Sequence, residues 1–128
     1  PWDVTVNTKG SKDFTAKYKS KYGKIPSWRA YLGYIGMAEL LSGIERAGSP
    51  EPKKVILALE GHIFDGLKAN KSQWREWDHQ NIQDTYCGRA KSGAEVKHED
   101  DLFEIVAMKK GEEVAHTRAE NPVKLEAL

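Results

Sequence analysis

The sequence predicts an α/β chain with about three helices, over residues 11–22, 27–47 and 52–60, followed by short strands over 73–77, 84–90 and 102–109. Three observations lead there. Capped, periodic helical runs fill the first half of the chain. After Asp65 and Gly66 the pattern changes to short alternating runs separated by polar turns, the reading of small strands. The run from Ser27 to Gly48 is apolar around most of its circumference, and little else in the chain is apolar enough to enclose it. This last mismatch predicts that the 128 residues are part of a larger protein.

The first helix is expected over residues 11–22. Ser11 is placed to cap it, Phe14, Tyr18 and Tyr22 recur every four residues on one face, and Gly23 is a natural stop. The aromatic face should pack, while the lysines occupy the rest of the surface. Ser27 is placed to cap the second helix and Gly48 to end it. Its apolar residues include Trp28, Tyr31, Leu32, Tyr34, Met37 and Leu41, whereas Arg29, Gly33, Gly36, Glu39, Gly43 and Arg46 form a narrow stripe. An interior glycine costs roughly 1 kcal/mol relative to alanine, so a neighbour or a bound molecule is expected close to that stripe. The third helix starts at Pro52, whose ring suits a first helical turn, and runs to Gly61.

In the second half, Trp74, Asp84, Tyr86 and the run Leu102 to Lys109 mark the strands, with a polar loop from Ala90 to Asp101 between the last two. From Lys110 onward the chain is polar and is expected to wrap a surface or fray. No internal repeat, low-complexity segment or interdomain linker interrupts this order.

Composition excludes several classes of function. The net charge is +1, which gives no general attraction to nucleic acid or an anionic membrane surface. No run approaches the roughly 18 apolar residues needed to span a bilayer. The single cysteine, Cys87, cannot form an internal disulfide or an all-cysteine metal site, and reads as a small residue in a strand. A charged fraction of 30% and a mean hydropathy of −0.66 are polar values for a self-sufficient domain.

No constellation supports catalysis, a cofactor or a metal. Asp78 and His79 are adjacent, so on a strand they point to opposite faces and do not converge on one substrate atom; a hydrogen-bonded turn is the expected role. His98, Glu99, Asp100 and Asp101 lack a second spaced histidine and read as a solvated acidic run. The lysines from Lys9 to Lys24 lie opposite the aromatics of their helix, which is ordinary amphipathicity and not a nucleic-acid surface. Phosphate loops and nucleophile elbows are absent.

A succession of residues does carry a resemblance. It comprises Lys21, Tyr22 and Gly23; Pro26; the aromatic helix with Gly33 and Tyr34; Ala47, Gly48 and Ser49; Ala58 to Gly61; Phe64, Asp65 and Gly66; and Arg75 to Gln80 followed by Tyr86 and Gly88. In this order and spacing, from Pro1 to about Met108, the chain resembles the C-terminal portion of branched-chain amino-acid type substrate-binding proteins of ABC transporters. Trp74 and Trp77 depart from the small or aliphatic residues common around the Arg75 motif.

The resemblance implies a C-terminal fragment of a two-lobed type I periplasmic-binding fold, each lobe a mostly parallel sheet covered by helices, with residues 1–128 contributing to both lobes. It implies a non-catalytic receptor, free of cofactor and metal, located in the periplasm or outside the cell, either free or lipid-anchored. Its partners would be a small organic solute such as an amino acid, amide or aromatic acid, an inner-membrane ABC permease, and the remainder of the parent chain. The residues expected at the ligand are Trp2, Trp28, Tyr31 and Tyr34 as aromatic walls, with Arg29 as a partner for a carboxylate. The competing reading is a self-associating, non-catalytic interaction module whose Ser27 to Gly48 helix is buried by a second copy.

Overall fold

Thr8, not Ser11, starts the first helix. In the computed structural model, which describes residues 2–126, α1 spans Lys9–Tyr22, two residues earlier than expected. Thr8 is extended, its hydroxyl oxygen accepts the Ser11 N–H at 3.1 Å, and its own proton is donated to Leu67 O at 2.8 Å. The second bond ties the cap to a distant loop, which no local capping pattern could announce. Ser11 lies inside the first turn, where its hydroxyl accepts the Trp2 indole N–H at 3.1 Å. Gly23 closes the helix in the left-handed region with φ 70°.

α2 runs Trp28–Ala47, with Ser27 as its cap and Gly48, at φ 61°, as its stop. α3 is Pro52–Leu59, and ends where Gly61 turns to φ 71° and donates its N–H to Trp74 O at 2.8 Å. α2 and α3 pack where α2 has no side chain. A Cβ on Gly43 would stand 3.2 Å from both Leu59 and Val55, so this glycine permits the close approach expected of the stripe. Gly33 and Gly36 face open space instead.

The two sides of α2 are reversed from the usual arrangement. Tyr31, Glu39 and Gly43 are its buried positions, and two of these belong to the small and polar stripe. Leu32, Tyr34, Met37, Leu40 and Leu41 are exposed. Glu39 is held inside because its carboxylate accepts the Trp74 indole N–H at 3.0 Å and lies 3.7 Å from His62 Nε2. Among the described residues nothing encloses the apolar side.

Two small antiparallel sheets complete the fold. The first has the order β1-β2-β3, formed by Ile63–Phe64, Ser72–Trp74 and Asn81–Ile82. The second is a hairpin of β4, Thr85–Ala90, and β5, Phe103–Lys109, with an irregularity between Cys87 and Gly88; a 3₁₀ turn at Gly93–Glu95 lies in its connection. β4 and β5 each begin one residue later than expected. The strand expected over 73–77 stops at Trp74, because Asp78 accepts Arg75 Nε at 2.8 Å and Gln80 N–H at 3.2 Å, folding the chain into a turn with His79 at φ 54°. Cys87 does lie in a strand, but exposed. The expected polar tail begins with one helical turn, α4, Gly111–Val114. Beyond it Arg75 donates to His116 O at 2.9 Å, so the tail is pinned to the turn.

The core is small: Trp2, Val6, Phe14 and Tyr31 are buried together, with Leu67, Tyr86 and Ile105 packed partly against them. Burial of these side chains helps order the helical half, on the order of 1.5–3 kcal/mol for each large one.

Candidate functional site

Of the five residues expected at a ligand, the fold buries one pair, Trp2 and Tyr31, and leaves the other three exposed. Trp2 and Tyr31 stack with centroids 4.9 Å apart and planes 6° from parallel, and they are only 2% and 1% exposed. Each polar edge is satisfied: the indole N–H goes to Ser11, and the Tyr31 hydroxyl donates to Gly66 O at 2.7 Å. Both rings are therefore set as a floor beneath the surface. Burial pushes the Tyr31 phenol well above its ordinary pKa, so it stays a neutral donor.

The other three lie apart from that stack. Arg29 is placed over the Trp28 ring, 4.5 Å from its centroid, at the exposed start of α2. Tyr34 is half exposed and leans on Phe14 at 4.9 Å. With Tyr18, Tyr22, Met37 and Leu41 it borders an apolar groove of about 700 Å³ between α1 and α2.

A different groove crosses the seam between the helical half and the β4–β5 hairpin. It measures about 500 Å³ and is bordered by Val6 and Thr8 on one side, and by Tyr86, Phe103, Ile105 and Met108 on the other. Val6, Tyr86 and Ile105 belong to the packing of the Trp2–Tyr31 core, so the floor of stacked rings supports one wall of the seam. Tyr86 Oη accepts the Ala69 N–H at 2.9 Å. Phe103 and Met108 leave their apolar surface open. The ion pairs Lys91–Asp101 and Arg89–Glu104 neutralise the nearby rim.

Lys68 lies behind this seam, almost fully buried. Its Nζ donates to the Asp84 backbone O at 2.7 Å and stands 6.0 Å from the Tyr31 ring and 5.6 Å from the Tyr86 ring. Burial pushes the amine down to about 8, opposed by the nearby Asp84 charge. The Asp84 carboxylate itself accepts the backbone and side-chain N–H groups of Asn70. Sequence reasoning passed over Lys68 and read Tyr86 and Phe103 only as strand positions, Tyr86 also as part of a motif. The single signal available was the Tyr86 to Gly88 spacing, since burial of a lysine inside an aromatic cluster has no local pattern.

Among the described residues no three metal-ligating side chains come together. Asp78 is engaged by Arg75, and His79 Nε2 lies 2.8 Å from Glu60 Oε1, so the adjacent Asp-His pair serves a turn. Arg46 reaches His62 Nε2 at 3.0 Å and also donates to Ala58 O, bridging α2, α3 and the strand region.

A family model described as "Periplasmic binding protein" matches residues 1–95. Among solved structures, a periplasmic binding protein from Burkholderia mallei superposes with a TM-score of 0.82 at 28% identity, over 93% of this chain and 31% of that one. An amino acid ABC transporter substrate-binding protein from Pseudomonas fluorescens gives 0.78 at 28% identity, over 85% and 29%. A branched chain amino acid ABC transporter periplasmic ligand-binding protein from Burkholderia xenovorans gives 0.74 at 26% identity, over 84% and 29%. The chain thus spans about a third of the length of the proteins it resembles. No curated protein matches it significantly.

Proposed function

Because the chain belongs to the periplasmic binding protein family, we propose that it is the C-terminal third of a solute receptor for an ABC uptake transporter, contributing to both lobes. The receptor holds a small organic solute, such as an amino acid, an amide or an aromatic acid, in the cleft between its lobes. It carries out no chemistry on that solute. A membrane permease recognises the closed, loaded form, and the receptor works in the periplasm or outside the cell, free or tethered by a lipid.

The observation that carries this reading is the family match across residues 1–95, joined to a fold whose apolar surface is left open along α2. A polypeptide of about three times this length would supply the parallel strands that cover it. Closure is then a matter of linkage: a solute that touches both lobes stabilises only the form in which both walls meet it, so affinity and closure are one equilibrium. Within this chain Trp2 and Tyr31 build the floor behind the cleft, while Trp28, Arg29 and Tyr34 are the exposed groups offered to a solute or to the opposite lobe.

One observation favours a second reading. The exposed side of α2 is also what a self-associating module would bury, with Met37 and Leu41 at the centre of the contact. Native mass spectrometry of the intact gene product, with a panel of amino acids, amides and aromatic acids, separates the two. The receptor reading expects a monomer retaining one small molecule. A solute-free dimer across the whole panel contradicts it.

A further inference from the structure

Residues 66–70 each carry a hydrogen bond to one half of the fold or the other. We infer that this segment is a coupler that fixes the β4–β5 hairpin against the helical half and so sets the width of the seam groove, with Leu67 as its pivot and Lys68 as the positioning residue beside it. The device is a property of the fold and operates without solute.

The bonds divide at the middle of the segment. Gly66 O accepts the Tyr31 hydroxyl at 2.7 Å and Leu67 O accepts the Thr8 hydroxyl at 2.8 Å, both from the helical half. Lys68 Nζ donates to Asp84 O at 2.7 Å, the Ala69 N–H to Tyr86 Oη at 2.9 Å, and the Asn70 N–H to the Asp84 carboxylate at 2.8 Å, all at the start of the hairpin. Thr8 and Tyr86 border opposite walls of the groove, so Leu67 and Ala69 hold the walls at a set separation.

Between the two sets of bonds the backbone is strained. Leu67 has φ 60°, in the left-handed region, where Cβ crowds the following carbonyl oxygen. Such a residue persists where its surroundings over-determine it. Asp65 Oδ1 accepts its N–H at 2.8 Å, Thr8 holds its O, and its side chain lies over Gly10, where a Cβ would come within 2.8 Å of Leu67 Cδ2. Relaxation at this one residue redirects residues 68–70 and parts them from Asp84 and Tyr86.

Lys68 fills the junction. Its ammonium stands 6.0 Å from the Tyr31 ring of α2 and 5.6 Å from the Tyr86 ring of β4, one ring from each half. Partial packing of Tyr86 and Ile105 on the core and the ion pair Lys19–Asp100 at 3.6 Å also join the halves. The first is not directional and the second is a partly exposed pair of little weight, so the set of the hairpin is left to the hydrogen-bonded segment.

Hydrogen–deuterium exchange with mass spectrometry on the intact gene product, without solute, tests the inference. Tyr86→Phe keeps the ring and removes the acceptor for Ala69. Thr8→Asp keeps an acceptor that caps α1 and removes the donor to Leu67 O. Lys68→Met keeps the stem and removes the ammonium. Each should speed exchange of the β4 and β5 amides by about ten-fold, the size of one lost hydrogen bond, with the α1 and α2 amides unchanged. Thr8→Asp is the sharpest arm, because the bond it removes lies on the helical side, away from the strands whose exchange is read. Unchanged hairpin protection in any folded variant, or acceleration spread evenly over every element, overturns the inference. Thr8→Asp and Tyr86→Phe decide it should Lys68→Met not fold. With no solute present, either result leaves the receptor reading standing.

Discussion

Trp2 lies flat on Tyr31, 4.9 Å away, and the stack joins a segment near the start of the chain to the first turn of α2. Phe14 meets the Trp2 edge at 74°, so three elements converge on one indole. Few other large side chains in the helical half are fully enclosed, and stability there depends on this contact more than on helix propensity.

Replacing Trp2 by alanine should therefore destabilise the protein by about 3–5 kcal/mol, the range for emptying a large aromatic site. Trp2→Phe should cost less, because a ring remains against Tyr31, although Ser11 Oγ loses its indole donor. Urea unfolding followed by circular dichroism gives both values. A loss below about 1 kcal/mol for Trp2→Ala would show that the stack is dispensable.

Lys68 gives stability a pH dependence of unusual sign. Its amine titrates at about 8 in the folded chain, against 10.5 for the ordinary side chain. Between these values the unfolded chain binds the extra proton, so stability increases with pH, by up to roughly 2–3 kcal/mol. Tyr31 opposes above pH 10, since its raised pKa keeps a proton that the unfolded chain has released. Midpoints of unfolding should thus rise from pH 8 to about pH 10 and then fall. In Lys68→Met the rise should vanish.

The glycines of α2 should respond in opposite directions. Gly36 faces open space, so Gly36→Ala in the 128-residue chain should stabilise by roughly 1 kcal/mol through helix propensity alone. Gly43→Leu drives side-chain atoms into Val55 and Leu59 and should cost about 1–3 kcal/mol. Denaturant midpoints of the two variants decide it, and destabilisation by Gly36→Ala would mean that a neighbour already presses on that stripe.

The helices were legible because their ends are written locally. Ser27, Gly48 and Pro52 state a cap, a stop and a start, and α2 and α3 begin and end within a residue of expectation. Thr8 escaped notice because Ser11 is an equally good cap by type, and the choice was made by Leu67 O, far along the chain. The two-residue strands β1 and β3 are too short to show any alternation. Glu39 reads as a solvent residue until Trp74 and His62 arrive beside it. The same limit applied at the candidate site. Aromatic type suggested Trp2 and Tyr31, yet nothing local distinguishes a floor from a wall, and Lys68 and Phe103 acquire meaning only when the hairpin folds back on the first segment.

The account turns on whether the open side of α2 is an internal surface of a larger receptor. Leu41, 59% exposed here, can be replaced by cysteine in a Cys87→Ser background and its rate of maleimide labelling measured, both in the intact gene product and in the 128-residue chain. The account predicts rapid labelling in the short chain and strong protection in the intact, monomeric product. Equal, rapid labelling in both would contradict it.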